Sequence, residues 1–126
     1  MGPSVWNLTM KKIISILALV LTLTSCSRDS EPPLALPPGA EPSAKIHNDR
    51  GLSHYEKGRY FDALLEFTQA SVADNSTGEI HFNIALMLHQ RSEEKRAKER
   101  FELARKFANG NKTILESGLF KKYLNQ

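Results

Sequence analysis

A chain of 126 residues, 40% hydrophobic and 25% charged, has the composition of one small globular domain and excludes a wholly disordered chain. The formal charge of +3 includes Lys11 and Lys12 of an N-terminal segment read below as removable; without them fifteen basic residues face fourteen acidic ones, so nucleic acid is not an expected partner. Cysteine occurs once, at Cys26, which rules out an intrachain disulfide and a cysteine-rich metal site.

Residues 1–25 read as an export signal, with Met10 the more typical start. Lys11 and Lys12 precede an uncharged run, Ile13 to Leu23, that is too short to span a hydrocarbon core of about 30 Å comfortably. Its end, Leu23-Thr24-Ser25-Cys26, resembles the lipobox of bacterial lipoproteins. The resemblance implies cleavage before Cys26, a diacylglycerol on its sulfur and a place in the bacterial cell envelope. Ser27, rather than Asp, after the cysteine implies the outer membrane, facing the periplasm. Several acyl chains anchor stably where one is marginal.

Residues 26–42 follow as a lipidated cysteine and proline-rich tether. Pro32-Pro33, Pro37-Pro38 and Pro42 fix φ and disfavour helix before them, so the sixteen residues after Cys26 reach roughly 50 Å if fully polyproline-like.

From Ala44 the hydrophobic period becomes helical. A first helix ends near Lys57-Gly58, where glycine suits a left-handed C-cap, and Tyr60, Ala63, Leu64, Phe67 and Ala70 mark a second. So short a connection forces an antiparallel hairpin. Asp74-Asn75 stops the second helix, and Ser76-Thr77-Gly78-Glu79 reads as a capping box for a third, which ends near Gln90. Ser92 is placed to cap a fourth, striped by Ala97, Phe101, Ala104 and Phe107 and ended by Asn109-Gly110. A fifth is expected from about Thr113 to Leu124, with Thr113-x-x-Glu116 as its capping box.

The hairpin is written twice. At an offset of 34 residues Gly51 falls on Ala85, Leu52 on Leu86, Ala63 on Ala97, Phe67 on Phe101 and Ala70 on Ala104. Together with Tyr55, Gly58 and Tyr60 these residues resemble the tetratricopeptide repeat, a helix–turn–helix unit of that length. The resemblance implies an all-α fold: a short right-handed α-solenoid of two helical hairpins (43–77 and 78–111) closed by a capping helix (112–126). Gly51, Ala63, Ala85 and Ala97 would let helices approach closely, and Phe67, Ala70, Phe101 and Ala104 would fill the space beyond. His47, Arg50, Asn75 and Asn109 depart from the family's pattern. A solenoid usually needs about three repeats for independent stability, and five helices meet that minimum narrowly. Either Ile114–Tyr123 caps the stack, or binding or self-association stabilises it; weak self-association is the expectation.

Carried over by register, the concave face of such a solenoid presents Asn48, Leu52 and Tyr55 from the first hairpin and Phe82, Asn83, Leu86, His89 and Gln90 from the second. Aromatic and aliphatic anchors ringed by amides suit a protein or peptide partner. Leu52 and Leu86 stand where relatives that clamp a C-terminal carboxylate carry asparagine. The alternative is that some of these positions contact the neighbouring hairpin. The seven Lys/Arg and four Glu of Arg91–Lys106 interleave as a solvated face. The histidines lack the i,i+4 spacing of a metal pair, and no catalytic constellation appears, so neither metal, cofactor nor enzymatic activity is expected. The expectation is a lipid-anchored adaptor for assembly of an envelope, pilus or secretion complex. A subunit packed permanently in a larger complex or homo-oligomer is the alternative.

Overall fold

The computed structural model describes residues 30–125. The expected signal segment, Cys26 and its lipid lie outside the described residues. Among the described residues the fold is all-α, with six helices and no strand: α1 Pro42–Glu56, α2 Tyr60–Ala73, α3 Gly78–Gln90, α4 Glu94–Lys106, α5 Lys112–Leu115 and α6 Gly118–Leu124. None of these helices is long and apolar enough to cross a membrane.

Consecutive helices form two antiparallel hairpins. Beside the first turn the rings of Tyr55 and Tyr60 lie 5.5 Å apart, and farther out His47 Nδ1 meets Glu66 Oε2 at 2.8 Å. In the second hairpin Phe82 meets Phe101 edge-on at 5.9 Å, and His81 stacks on Phe107 at 5.7 Å. The two turns are one turn repeated. Gly58 N–H donates to Tyr55 O and Arg59 N–H to His54 O; 34 residues on, Ser92 N–H donates to His89 O and Glu93 N–H to Leu88 O. Gly58 and Ser92 both adopt left-handed backbone, at φ 71° and 60°. Ser92 is therefore a turn residue and not the expected cap; Glu93 holds the N-cap of α4, without a side-chain bond.

The packing residues sit as their sizes demand. Ala63, Phe67, Ala70, Ala85, Ala97, Phe101 and Ala104 are fully buried. At Gly51 a Cβ would stand 2.5 Å from the Phe67 ring, so only glycine admits that ring. Packing of α2 on α3 joins the hairpins, and α6 packs on α4, with the Tyr123 ring 5.0 Å from Phe101.

Helix starts follow chemistry different from the expected boxes. The Glu41 carboxylate accepts from Ala44 N–H at 2.6 Å, and Pro42 opens α1, where its missing N–H costs nothing. Asp74, not a box, organises the entry to α3: it accepts from Ser76 N–H, Ser76 Oγ and Thr77 Oγ1. These bonds, led by that from Thr77, hold its pKa below the usual value. Glu79 accepts instead from Asn111 Nδ2 at 2.5 Å, tying the start of α3 to the start of α5. The single closing helix expected from Thr113 to Leu124 is two short ones. Asn111 caps α5, the helix is interrupted at Glu116–Ser117, and Ser117 Oγ caps α6 through Phe120 N–H at 3.0 Å.

Candidate functional site

Every residue of α3 from Gly78 to Leu88 is buried. An amphipathic surface helix would keep one face wet. What covers the remaining face is the stretch expected as a free tether. Residues 31–36 run without helix across α6, α3 and α1, and Leu36 joins the core at 8% exposure.

The groove is built around two amides. Asn48 on α1 and Asn83 on α3 are fully buried, yet neither is orphaned. Leu34 N–H donates to Asn83 Oδ1 at 2.6 Å, and Asn83 Nδ2 donates back to Leu34 O at 2.8 Å. Asn83 thus pairs with both main-chain groups of one residue, as a neighbouring β-strand would. Asn48 Nδ2 adds a second bond to Leu34 O at 3.0 Å, and its Oδ1 accepts from Asn83 Nδ2 at 2.9 Å. At one end Glu31 Oε1 accepts from Leu119 N–H at 2.9 Å, beside Ser117 at the start of α6. Along α1, Pro32, Pro33 and Ala35 face Leu52, Tyr55 and Glu56 across a shallow cleft. Burial, the larger cause, and the nearby Tyr60 raise the pKa of the Tyr55 hydroxyl.

The expected groove residues divide. Asn48, Asn83, Leu52 and Tyr55 meet the docked segment. Phe82 and Leu86, at 1% and 2% exposure, belong to the core and are not open anchors. His89 is held 2.8 Å from Tyr123 Oη with the rings at 87°, facing α6, and Gln90 is half-buried beside the turn. The residues missed were Leu34, Leu36 and Glu31. Their only sequence signal was a Leu-x-Leu pair inside a run otherwise made of prolines and small residues.

Seating the segment is close to balance. Two partly or largely buried leucines contribute about 1.5–3 kcal/mol each, and four hydrogen bonds to the helices about 1 kcal/mol each. Ordering six residues costs about 1–2 kcal/mol apiece, less at the two prolines, whose backbone is already restricted.

Among the described residues no cluster of three or more His, Cys, Asp or Glu is arranged to hold a metal. No family model, curated protein or solved structure matches the chain.

Proposed function

We propose that this chain is a protein-interaction module of the tetratricopeptide type, lipid-anchored through Cys26, whose groove between α1 and α3 binds an extended peptide of a partner in the cell envelope. The observation that carries this is the Asn48–Asn83 pair, which grips a main chain by both its N–H and its C=O. Such recognition is indifferent to the side chain at the gripped residue and suits an extended segment, which presents both groups unpaired. The 34-residue recurrence of the turn bonds supports the repeat reading, as does the packing of α6 against both α4 and His89 of α3. Among envelope roles, an adaptor in assembly of an envelope, pilus or secretion complex fits a module held out from a membrane.

Co-purification from detergent-extracted membranes tests the proposal. Leu52→Arg alters a half-buried groove wall, whereas Leu86→Arg would bury a charge and unfold the domain. The Leu52→Arg protein should stay helical and lose its partner; a partner retained by it sinks the groove assignment. Cys26→Ser should release the protein from membranes, and retention after signal cleavage would refute the anchor.

A second reading, a permanently packed subunit, has its own observation. Phe61, Leu65 and Val72 share one outward face of α2 at 62%, 51% and 79% exposure. Leu65→Lys separates the two: a subunit that packs through this face loses its complex, whereas the adaptor keeps its partner.

A further inference from the structure

Residues Glu31–Leu36 lie in the groove as a separate strand would. We infer that they are a displaceable internal ligand, exchanged for a partner peptide with an acidic residue three positions before a Leu-x-Leu pair. This deepens the reading above and rests on it.

Each contact the segment makes is one that a peptide in trans can reproduce. Leu34 is held by its main chain, through Asn83 and Asn48. Leu36 supplies the apolar anchor, and Glu31 places a carboxylate on Leu119 N–H. Pro32 and Pro33 keep the stretch between acid and anchor extended, which lowers the entropy lost on seating. The acid, the gripped residue and the anchor thus fall at fixed spacing, and that spacing defines the ligand.

Two features distinguish a replaceable occupant from a permanent part of the core. The groove floor carries two amides with the segment's main chain as their partner. An emptied floor of this kind takes up water, whereas apolar residues alone would leave a dry void. The segment is also joined to α1 by a turn, with Ala40 N–H donating to Pro37 O at 3.2 Å and Gly39 at φ 85°. The N-terminus of α1 is capped by Glu41, downstream of that turn, so the segment can swing out while α1 keeps its cap.

The full-length chain tests this by fluorescence anisotropy, with a labelled synthetic peptide carrying residues 30–40 as the probe. Leu36→Asp expels the internal segment and leaves the groove walls unchanged. The inference requires this variant to bind the peptide more tightly than the parent, about 2-fold if seating is evenly balanced and about 10-fold if nine chains in ten are seated, because occupancy by the internal copy lowers apparent affinity by the vacant fraction. Adding Asn83→Ala should weaken that binding about 10-fold, the loss of one or two hydrogen bonds. Equal affinity in parent and Leu36→Asp overturns displacement and leaves the groove reading standing. No binding to either, with both chains helical, removes the groove reading as well. Hydrogen exchange on the parent gives an answer independent of any variant's folding. The Leu34 amide should exchange by local opening, ahead of the Met87 amide in α3; exchange of both only on global unfolding overturns the inference. A parent dimer in sedimentation that Leu36→Asp dissociates would also overturn it, by making a second copy the occupant.

Discussion

At the scale of single residues, Asn83 is the side chain whose chemistry is most completely used. Its oxygen accepts from Leu34 and its nitrogen donates to both Leu34 and Asn48. Asn83→Ala leaves Leu34 N–H and Asn48 Oδ1 without these partners in a buried place, and a cost of about 1–3 kcal/mol is expected in urea unfolding. Water admitted by release of the segment would hold the loss to the low end. His81 gives a pH prediction. Its Nε2 lies 2.8 Å from Asn75 O, so the proton is on Nε2, and Nδ1 accepts from Arg100 Nη1 at 3.2 Å. Burial, the largest cause, and the Arg100 charge pull its pKa below the ordinary 6.5, against opposing effects of Asn75 and Asp74. Between that lowered value and 6.5 the unfolded chain binds more protons than the folded one, so stability is lost as pH falls through this window. The melting temperature should drop as pH falls through 6.5, and His81→Gln should flatten the drop. Asp74, with its depressed pKa, adds its own loss only at pH below the ordinary carboxylate value of 3.8.

At the scale of elements, the two hairpins share their turn bonds and differ in one residue. Gly58 occupies left-handed backbone without a Cβ penalty, whereas Ser92 occupies the same backbone with one. Ser92→Gly should therefore stabilise the domain by about 1 kcal/mol, read as a rise of about 4–8 °C in melting temperature. A destabilised Ser92→Gly protein would show that the serine side chain matters more than its backbone. The closing element follows the same logic. Thr113-x-x-Glu116 looked like the start of one long helix, but Asn111 and Ser117 each offer a cap of their own, and each begins a short helix. Two caps satisfy more terminal N–H groups than one box can, and the resulting bend lays Leu119, Phe120 and Tyr123 on the core.

At the scale of the whole molecule, Phe101 is the hub. Its ring meets Phe82 of α3 and Phe120 and Tyr123 of α6. Phe101→Ala should cost about 3–5 kcal/mol, a fifth or more of what about 100 residues usually provide. Near- and far-UV signals should fall in one transition at a lower temperature, because the ring belongs to both the second hairpin and its closure. The docked segment also sets how far the body stands from its anchor. Under the proposed lipidation, Ser27 to Ser30 alone separate Cys26 from the groove, about 14 Å of extended chain, against roughly 50 Å once the segment is free. Exchange of the internal ligand would then lengthen the leash as it fills the groove.

The doubled hairpin was legible in the sequence because helical pattern and turn chemistry are local. Small residues at Gly51, Ala63, Ala85 and Ala97, aromatics at Phe67 and Phe101, and a turn every 34 residues follow from spacing alone, and among the described residues every regular element is a helix. The spacing puts Asn48 and Asn83 on one expected face, though 35 apart and so one position out of the repeat's register, and the structure bonds them to each other and to Leu34. Occupancy of the groove was not legible. Leu34 reaches Asn83 across 49 residues through its main chain, which every residue carries alike. Proline-rich sequence has no period from which a buried face can be read. Register alone puts Phe82 and Leu86 on an open surface, because periodicity tells which residues share a face, not what covers it. That was decided only when Glu31–Leu36 and α6 closed over α3, a choice set by tertiary burial and main-chain hydrogen bonding.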